Sequence, residues 1–266
     1  MSGSLGSDLM SKQVVFVSGG GSGVNLAIAE SIARLGGDLA LCGRTLSRLD
    51  AAAERLRRLG SQVVTAVADV RDYGAVEEAF ARSVDELGPV TGIVCGAAGN
   101  FVAAAQDISS NGFRAVVDID LLGSFHVAKA GFEQLRQTKG SVLFVSGGPS
   151  FMSFHEQAHV SAAKAGVDQL MRSFALEWAQ YGIRSNSIVP GPVAGTEGMR
   201  RLTEGSAEQA WIDSVPLGRF AQPEEVADIA ALLISPVASF MTGSQICVDG
   251  GLALSGAGHI NASRQR

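Results

Sequence analysis

Residues 13–35 constrain the fold of this chain more than any other stretch. The apolar run at 14–17 is short and rich in β-branched residues, which predicts a buried strand. A glycine-rich turn follows at 18–23, and residues 24–35 carry the apolar face of a helix. This order places backbone N–H groups and a helix N-terminus against a phosphate. The alternative is an ordinary glycine-rich turn between a strand and a helix, and we favour nucleotide binding over it.

The rest of the chain alternates between short apolar runs and helical patterns. Strands are predicted at 39–42, 63–68, 92–95, 142–145, 185–189 and 245–248, and helices at 47–59, 75–87, 161–181 and 223–234, with a long helical region ending near residue 137. Such alternation implies parallel strands joined by right-handed crossovers, and continuous apolar strands fit a sheet covered on both faces. We therefore predict an α/β fold, a single-domain Rossmann-type doubly wound parallel sheet of about seven strands.

No proline-rich or serine-rich linker divides the chain, so one domain is expected over residues 12–256. Residues 1–11 lack the basic and apolar regions of a signal peptide and are predicted to be a disordered tail or an expression remnant. Residues 257–266 are predicted to form a C-terminal tail. A doubly wound sheet binds its ligand beyond the carboxyl ends of its strands. The turn and polar residues that follow the predicted strands are Gly19, Arg44, Asp69, Gly96 and Pro190.

The composition narrows the range of partners. The chain of 266 residues is 46% hydrophobic and carries a net charge of −5, which argues against nucleic acid and anionic membranes. No apolar run approaches the length of a membrane span. Cys42, Cys95 and Cys247 lie in or beside predicted strands and have neither paired nor metal-ligand spacing. We therefore predict free core thiols, no metal site and a cytoplasmic protein.

The end of the second strand indicates which nucleotide is bound. NAD-binding chains usually place an acidic residue there, whereas this chain has Gly43 followed by Arg44. A guanidinium binds a 2′-phosphate bidentately, and Arg48 lies one helical turn further on, so NADPH is predicted. The alternative for Arg44 is a solvated surface arginine. Asp69, at the end of the third strand, is expected to accept from the adenine amino group or to cap the following helix.

Several motifs resemble the short-chain dehydrogenase/reductase family, and the resemblance covers nearly the whole chain. They are the glycine loop, Asp69-Val70, Gly96-Ala97-Ala98-Gly99, Lys164 within a helix, Pro190-Gly191 and Asp249-Gly250-Gly251. The resemblance implies a set of cofactor-binding residues: Gly19, Gly21, Ser22, Gly23, Val24, Arg44, Arg48, Asp69, Val70, Ala97, Ala98, Gly99, Lys164, Pro190, Gly191, Val193 and Thr196.

The chain departs from that family at four positions. Val160 stands four residues before Lys164, where the family has its catalytic tyrosine, and Gly147 replaces the serine after the fifth strand. Asp120 replaces an asparagine, and Asn25 replaces the third glycine of the loop. A carbonyl reductase of the standard type is therefore not expected.

One branch of the family shares these departures. Residues 97–101, 117–120, 159–164 and 191–202 resemble the peroxisomal-type 2,4-dienoyl-CoA reductases. The resemblance implies NADPH-dependent reduction of a 2,4-dienoyl-CoA, an acyl-CoA thioester, to a 3-enoyl-CoA. It also implies a homotetramer.

The same resemblance implies roles for individual residues. Lys164 would donate to the nicotinamide ribose, and Asp120 with Lys164 would hold a protonating water, although Asp120 could simply pair with a basic neighbour. The loop with Phe151, Met152 and Phe154 would form an acyl wall or part of the core. The residues implied to meet acyl-CoA are Phe101, Ser109, Ser110, Asn111 and the arginines Arg44, Arg71 and Arg201, each of which could instead be merely exposed.

Two other hypotheses stay open from the sequence alone. One is a ketone or hydroxyacyl oxidoreductase whose proton donor comes from elsewhere, although Tyr73 and Tyr181 are the only tyrosines. The other is a non-catalytic NADP-binding protein, which the loss of the serine and tyrosine favours and the retention of Lys164 and Asp120 opposes.

Overall fold

A computed structural model describes residue 6 and residues 8–203 and 207–257. Residues 1–5 and 7 of the predicted N-terminal tail, and residues 258–266 of the C-terminal one, lie outside the described residues. Seven parallel strands form one sheet in the order β3-β2-β1-β4-β5-β6-β7, which confirms the predicted fold class. The strands are β1 (Val14–Ser18), β2 (Asp38–Gly43), β3 (Val63–Val67), β4 (Gly92–Cys95), β5 (Ser141–Val145), β6 (Arg184–Pro190) and β7 (Gln245–Val248).

Helices cover both faces of the sheet. They are α1 (Gly23–Arg34), α2 (Leu46–Arg58), α3 (Tyr73–Leu87), α4 (Ser110–Val117), α5 (Gly123–Ala130), α6 (Phe132–Thr138), α7 (Ala158–Trp178), α8 (Glu197–Leu202), α9 (Ala207–Ser214) and α10 (Pro223–Ile234). Alternate residues of β1 point to opposite layers of core: Val15 and Val17 pack with α1 and α10, whereas Phe16 stacks on Phe80 of α3 at 3.9 Å between ring centroids. Because both layers are apolar, β1 and β4 at the centre of the sheet are almost entirely apolar, whereas β6 is polar from Arg184 to Ser187.

The strand order fixes where a ligand can bind. Val17 of β1 pairs with Leu41 of β2 on one side and with Val94 of β4 on the other. The chain therefore winds in opposite directions from β1, and this reversal opens a crevice at the carboxyl ends of the strands.

The structure corrects three expectations. Met10 is fully buried and its backbone N–H donates to the Leu35 carbonyl, so the folded region begins before residue 12. Cys247 is exposed because β7 is an edge strand, whereas Cys42 and Cys95 are buried as predicted. The long helical region starts only at Ser110, and a π-helical turn, Asp118–Leu122, interrupts it.

Among the described residues, no helix is both long enough and apolar enough to cross a membrane. The same residues contain no group of three or more His, Cys, Asp or Glu side chains arranged to hold a metal ion.

Candidate active site

The glycine turn forms one wall of a groove of about 370 Å³ at the carboxyl ends of β1 to β4. Gly19 has φ +70° and Gly23 has φ +60°, a region that side chains other than glycine rarely adopt. Ser22 precedes α1 and its hydroxyl makes no capping bond, and the first turn of α1 contains no acidic residue. The free N–H groups of this helix end therefore face the groove without a competing anion, which suits a phosphate.

Two arginines line the far end of this groove. Arg44 follows β2 and Arg48 lies in the first turn of α2; both are exposed. Neither guanidinium group makes a hydrogen bond or an ion pair in the described part of the chain, although the Arg44 charge helps to lower the pKa of Asp69. Both groups can therefore bind an anion. A 2′-phosphate carries the charge and the oxygen geometry that a guanidinium binds best.

Asp69 lines the groove but does not cap α3, so one of its two expected roles is excluded and the contact with adenine stays a prediction. Its two carboxylate oxygens accept from Arg71, at 2.6 Å and 3.0 Å, and these bonds lower the pKa of Asp69. Asp72, rather than Asp69, caps α3 by accepting from the Ala75 N–H. The capping alternative for Asp69 is therefore wrong. Arg71 is engaged with Asp69 and does not line the groove.

Both ends of the segment after β4 are fixed by side chains. At one end, the Gly96 N–H donates to Ser18 Oγ at 3.0 Å, and Asn25 Nδ2 donates to the Gly96 carbonyl at 2.7 Å. At the other end, the Gly99 N–H donates to Asp120 Oδ1 at 2.6 Å. The residues between them, Ala97 and Ala98, line the groove. The groove wall is thereby connected to Asp120.

Asp120 and Lys164 form a buried ion pair. Asp120 lies in the π-helical turn and is 1% exposed; Lys164 lies in α7 and is 9% exposed. The Lys164 ammonium is 3.2 Å from Asp120 Oδ2 and donates to the Val145 carbonyl at 3.0 Å. Apart from this ion pair, Asp120 Oδ2 has no partner among the described residues, so it has a lone pair left for a water. Lys164 has three N–H donors, so one remains for another group.

The positions of the missing serine and tyrosine are filled by residues that carry no titratable group. Val160 is 6% exposed and packs with Val116, Ala163 and Phe101, so it belongs to a small apolar cluster. Gly147 lines the cavity described next. The tyrosines of the chain, Tyr73 and Tyr181, line neither this cavity nor the groove.

His159 lies beside this apolar cluster and is fully buried. Its ring packs against Phe101 with 4.1 Å between centroids, and neither ring nitrogen has a hydrogen-bond partner among the described residues. Burial lowers the pKa of His159, although the nearby Phe101 carbonyl and the Asp120 charge oppose this effect. The imidazole is therefore held neutral next to the ion pair.

A larger cavity of about 670 Å³ opens at the ends of β5, β6 and β7. Its walls come from the loop after β5, from α8 and α9, and from the segment after β7. Trp211 of α9 stacks on Phe154 with 5.7 Å between centroids, and Met152 and Phe154 line the cavity. Phe151 is exposed and does not line it, and the acyl wall stays a prediction. The apolar side chains that line the cavity are Val102, Met152, Phe154, Val189, Met199, Leu202, Trp211 and Leu252.

The sequence-predicted cofactor residues divide between the two depressions. Pro190 and Gly191 line the cavity, whereas Val193 is buried in the core and Gly99 and Lys164 contact Asp120. Those that line the groove are Gly19, Gly21, Ser22, Gly23, Val24, Arg44, Arg48, Asp69, Val70, Ala97, Ala98 and Thr196.

The sequence-predicted substrate residues are not brought together. Arg201 lines the cavity and its Nη1 donates to the Asn100 carbonyl at 2.6 Å. Phe101 instead packs on His159, and Ser109 caps α4 by accepting from the Gly112 N–H. Ser110 and Asn111 follow it at the exposed start of α4 and line neither depression. Their predicted contact with acyl-CoA stays a prediction.

Sequence reasoning missed Ser18, Trp211 and the part that Asn25 plays in the groove wall. Ser18 is the last residue of β1, and nothing local indicates that its hydroxyl reaches residues 96 and 97. Trp211 lies in a region without a recognisable motif, and its position depends on how α9 folds back over the loop after β5. Asn25 was visible as a departure from the glycine pattern, but its partner at Gly96 lies 71 residues away.

The sequence of this chain is similar to a known protein family and to several named reductases. Residues 19–253 match the family described as enoyl-(acyl carrier protein) reductase. The peroxisomal 2,4-dienoyl-CoA reductase of Saccharomyces cerevisiae, named as (3E)-enoyl-CoA-producing, is 39% identical over 94% of this chain and 87% of its own. The protein of the same name from Arabidopsis thaliana is 36% identical over 95% and 88%.

Solved structures show the same fold. A short-chain dehydrogenase from Bacillus anthracis has a TM-score of 0.82 at 32% identity, covering 91% of this chain and 97% of its own. An NAD+-bound xylitol dehydrogenase has a TM-score of 0.87 at 27% identity, covering 91% and 99%. With a family match over most of its length and relatives of this similarity, the chain belongs to the short-chain dehydrogenase/reductase family and is an oxidoreductase.

Proposed function

We propose that this protein uses NADPH to reduce a 2,4-dienoyl-CoA to a 3-enoyl-CoA. The observation that carries the proposal is the buried ion pair of Asp120 Oδ2 and Lys164, in a site where Val160 and Gly147 stand at the tyrosine and serine positions. The relatives named 2,4-dienoyl-CoA reductases support the reaction class.

Membership of the family implies a nicotinamide cofactor, and the groove fits one. The positive φ angles at Gly19 and Gly23 and the open helix N-terminus suit a pyrophosphate, and Arg44 and Arg48 support NADPH over NADH. Asp69 would receive the adenine amino group while it shares its oxygens with Arg71. When bound, NADPH supplies the hydride.

The remaining chemistry falls to the residues of the chain. Reduction at the far end of a conjugated dienoyl thioester moves negative charge to the thioester oxygen, and the product forms by protonation at carbon. No hydroxyl is needed next to the hydride acceptor, so valine is tolerated at position 160. Lys164 lowers the free energy of the developing negative charge, and its free N–H is available to a bound hydroxyl. A water on Asp120 Oδ2 would deliver the proton.

The apolar cavity supports an acyl substrate. Its volume of about 670 Å³ lies within the usual range for ligand pockets, and its wall of Met152, Phe154 and Trp211 offers no fixed charge to an alkyl chain. Arg201, at the same cavity, would meet a CoA phosphate. Because Glu197 also accepts from Arg201 at 3.1 Å, this guanidinium would have to be shared between Glu197 and the phosphate.

The test is turnover of the purified protein with NADPH and each of two substrates, a 2,4-dienoyl-CoA and a 3-ketoacyl-CoA. We expect that only the 2,4-dienoyl-CoA supports NADPH oxidation and that NMR identifies the product as a 3-enoyl-CoA. Faster turnover of the 3-ketoacyl-CoA would establish a carbonyl reductase instead. Tight NADPH binding without turnover of either substrate would establish a non-catalytic NADP-binding protein.

The proposal includes a homotetramer. The large apolar side chains Leu176, Phe240 and Leu254 are exposed and line neither depression, so they are the residues to test for subunit contacts. Light scattering would test it, since a monomeric mass at micromolar concentration contradicts it. The cytoplasmic location stays a prediction, and the two named relatives are peroxisomal.

A further inference from the structure

Asn25 stands where the glycine loop of the family has its third glycine, and its side chain makes hydrogen bonds that a glycine could not make. Nδ2 donates to the Gly96 carbonyl at 2.7 Å and approaches the Gly19 carbonyl at 3.4 Å. Both partners are acceptors, so the NH2 group must face them, and Oδ1 lies over the Cα of Gly96. The side chain therefore joins the glycine turn after β1 to the end of β4.

This contact comes at a cost in stability. Asn25 Oδ1 is buried and has no hydrogen-bond partner among the described residues. An unpaired buried acceptor is unfavourable, and asparagine is a poorer helix former than alanine in the first turn of α1. A contact with these costs is not explained by stability alone.

The space over Gly96 is filled by the same side chain. A Cβ added to Gly96 would overlap the Asn25 amide, so residue 96 must remain glycine as long as Asn25 keeps this conformation. With Ser18 Oγ on the Gly96 N–H, both polar groups of this peptide segment are held from the glycine-turn side. The next two residues line the groove, and Gly99 then contacts Asp120.

We infer that Asn25 is a cofactor-positioning residue: it fixes the Gly96 carbonyl and thereby holds residues 96–99 against the bound dinucleotide. The inference rests on the proposed binding of NADPH in the groove. Its opposite is that asparagine only obstructs the groove, as a bulky substitute for glycine.

NADPH fluorescence titration of the wild type, Asn25→Ala and Asn25→Gly separates the two. We expect both variants to raise the Kd for NADPH by about fivefold, the effect of one neutral hydrogen bond. The KM for NADPH should rise similarly while kcat changes less than about twofold, and the Tm of the cofactor-free Asn25→Ala protein should shift by no more than about 3 °C. A purely structural role would instead lower Tm and leave the Kd of the folded fraction unchanged.

Asn186→Ala is the matched control. The Asn186 side chain also donates to a carbonyl, that of Met241, at 2.8 Å, but Asn186 lies in the first half of β6, away from the groove. It should lower Tm and leave the Kd for NADPH within about twofold. Gly96→Ala should weaken binding less in the Asn25→Gly background than in the wild type, since glycine at position 25 frees the space.

Asn25→Gly binding NADPH as tightly as the wild type, or more tightly, would overturn the inference. Failure of the wild type to bind either NADPH or NADH would remove the proposed function itself, and the inference with it. The two failures are therefore distinct.

Discussion

The groove and the cavity lie on the same edge of the sheet but are built in different ways. The groove consists of backbone and charge: Gly19, the open end of α1, and Arg44. The cavity is walled mainly by apolar side chains such as Phe154 and Trp211, from segments that are far apart in the chain, although Arg201 also lines it. Recognition of a phosphate needs a few local features, whereas an apolar pocket needs several elements to fold over one another.

The Asp120 and Lys164 pair lies where these two regions meet. Asp120 holds Gly99, at the end of the groove wall, and Lys164 holds the Val145 carbonyl, two residues before the cavity residue Gly147. Substitutions in the groove should therefore change cofactor binding, those in the cavity should change substrate binding, and those in the pair should change the rate.

The largest effect is expected for the pair. Asp120→Ala and Lys164→Ala should each lower kcat for a 2,4-dienoyl-CoA by about 100-fold or more, the usual range for loss of a proton-transfer group. Lys164→Ala should also weaken NADPH binding strongly, whereas NADPH binding should survive Asp120→Ala with a smaller loss, because only the Gly99 end of the groove wall is released. Asp118→Ala is the control, because Asp118 lies in the same π-helical turn but its charge acts on Arg71. A tenfold loss in that control would show that the turn is merely sensitive to substitution.

Arg44→Ala should break the preference of the groove for NADPH. Loss of a charge-assisted phosphate contact costs about 2 kcal/mol, or about a 30-fold rise in Kd, while the Kd for NADH should hardly change. Arg58→Ala, at the other end of α2 and paired with Glu54, should change neither. Isothermal titration measures the Kd of each protein for NADPH and for NADH. Tighter binding of NADH than of NADPH to the wild type would show that the NADPH assignment is wrong.

Trp211→Ala should affect the cavity alone. Loss of its stack on Phe154 removes apolar surface worth about 1–2 kcal/mol, so kcat/KM for a long-chain dienoyl-CoA should fall by about tenfold and for a short-chain one by less. The Kd for NADPH should stay unchanged. Leu217→Ala, at an exposed leucine after α9, is the control. An equal loss for both chain lengths would place the acyl chain elsewhere.

The contrast between groove and cavity also explains what the sequence could predict. All seven strands were located to within a residue at either end, because most of them are short apolar runs that a core on both faces requires; β6, with Ser185, Asn186 and Ser187, is the exception. The glycine turn and Arg44 were found because they follow strands directly. Trp211 and the Asn25–Gly96 contact could not be found, since each depends on packing between distant segments. The exposure of Cys247 was missed because an edge strand has the same local pattern as a central one.

The smallest effect expected is a pH dependence of stability from His159. Burial lowers its pKa in the folded state, so between the ordinary histidine value of about 6.5 and this lower value the unfolded chain binds more protons. The free energy of unfolding should therefore decrease as pH decreases through this window. The decrease should be smaller for His159→Leu than for the wild type. Urea unfolding at pH 7.5 and 5.5 measures the difference, and equal slopes for the two proteins would mean that His159 is not held neutral.

The central claim is that Asp120 and Lys164 act together in place of the missing tyrosine. The most direct measurement is kcat for a 2,4-dienoyl-CoA in the wild type, Asp120→Ala, Lys164→Ala and the double variant. If one water is held by both side chains, the losses should not multiply, and the double variant should be within about threefold of the poorer single variant. Losses that multiply, or near-wild-type turnover in Asp120→Ala, would contradict the claim.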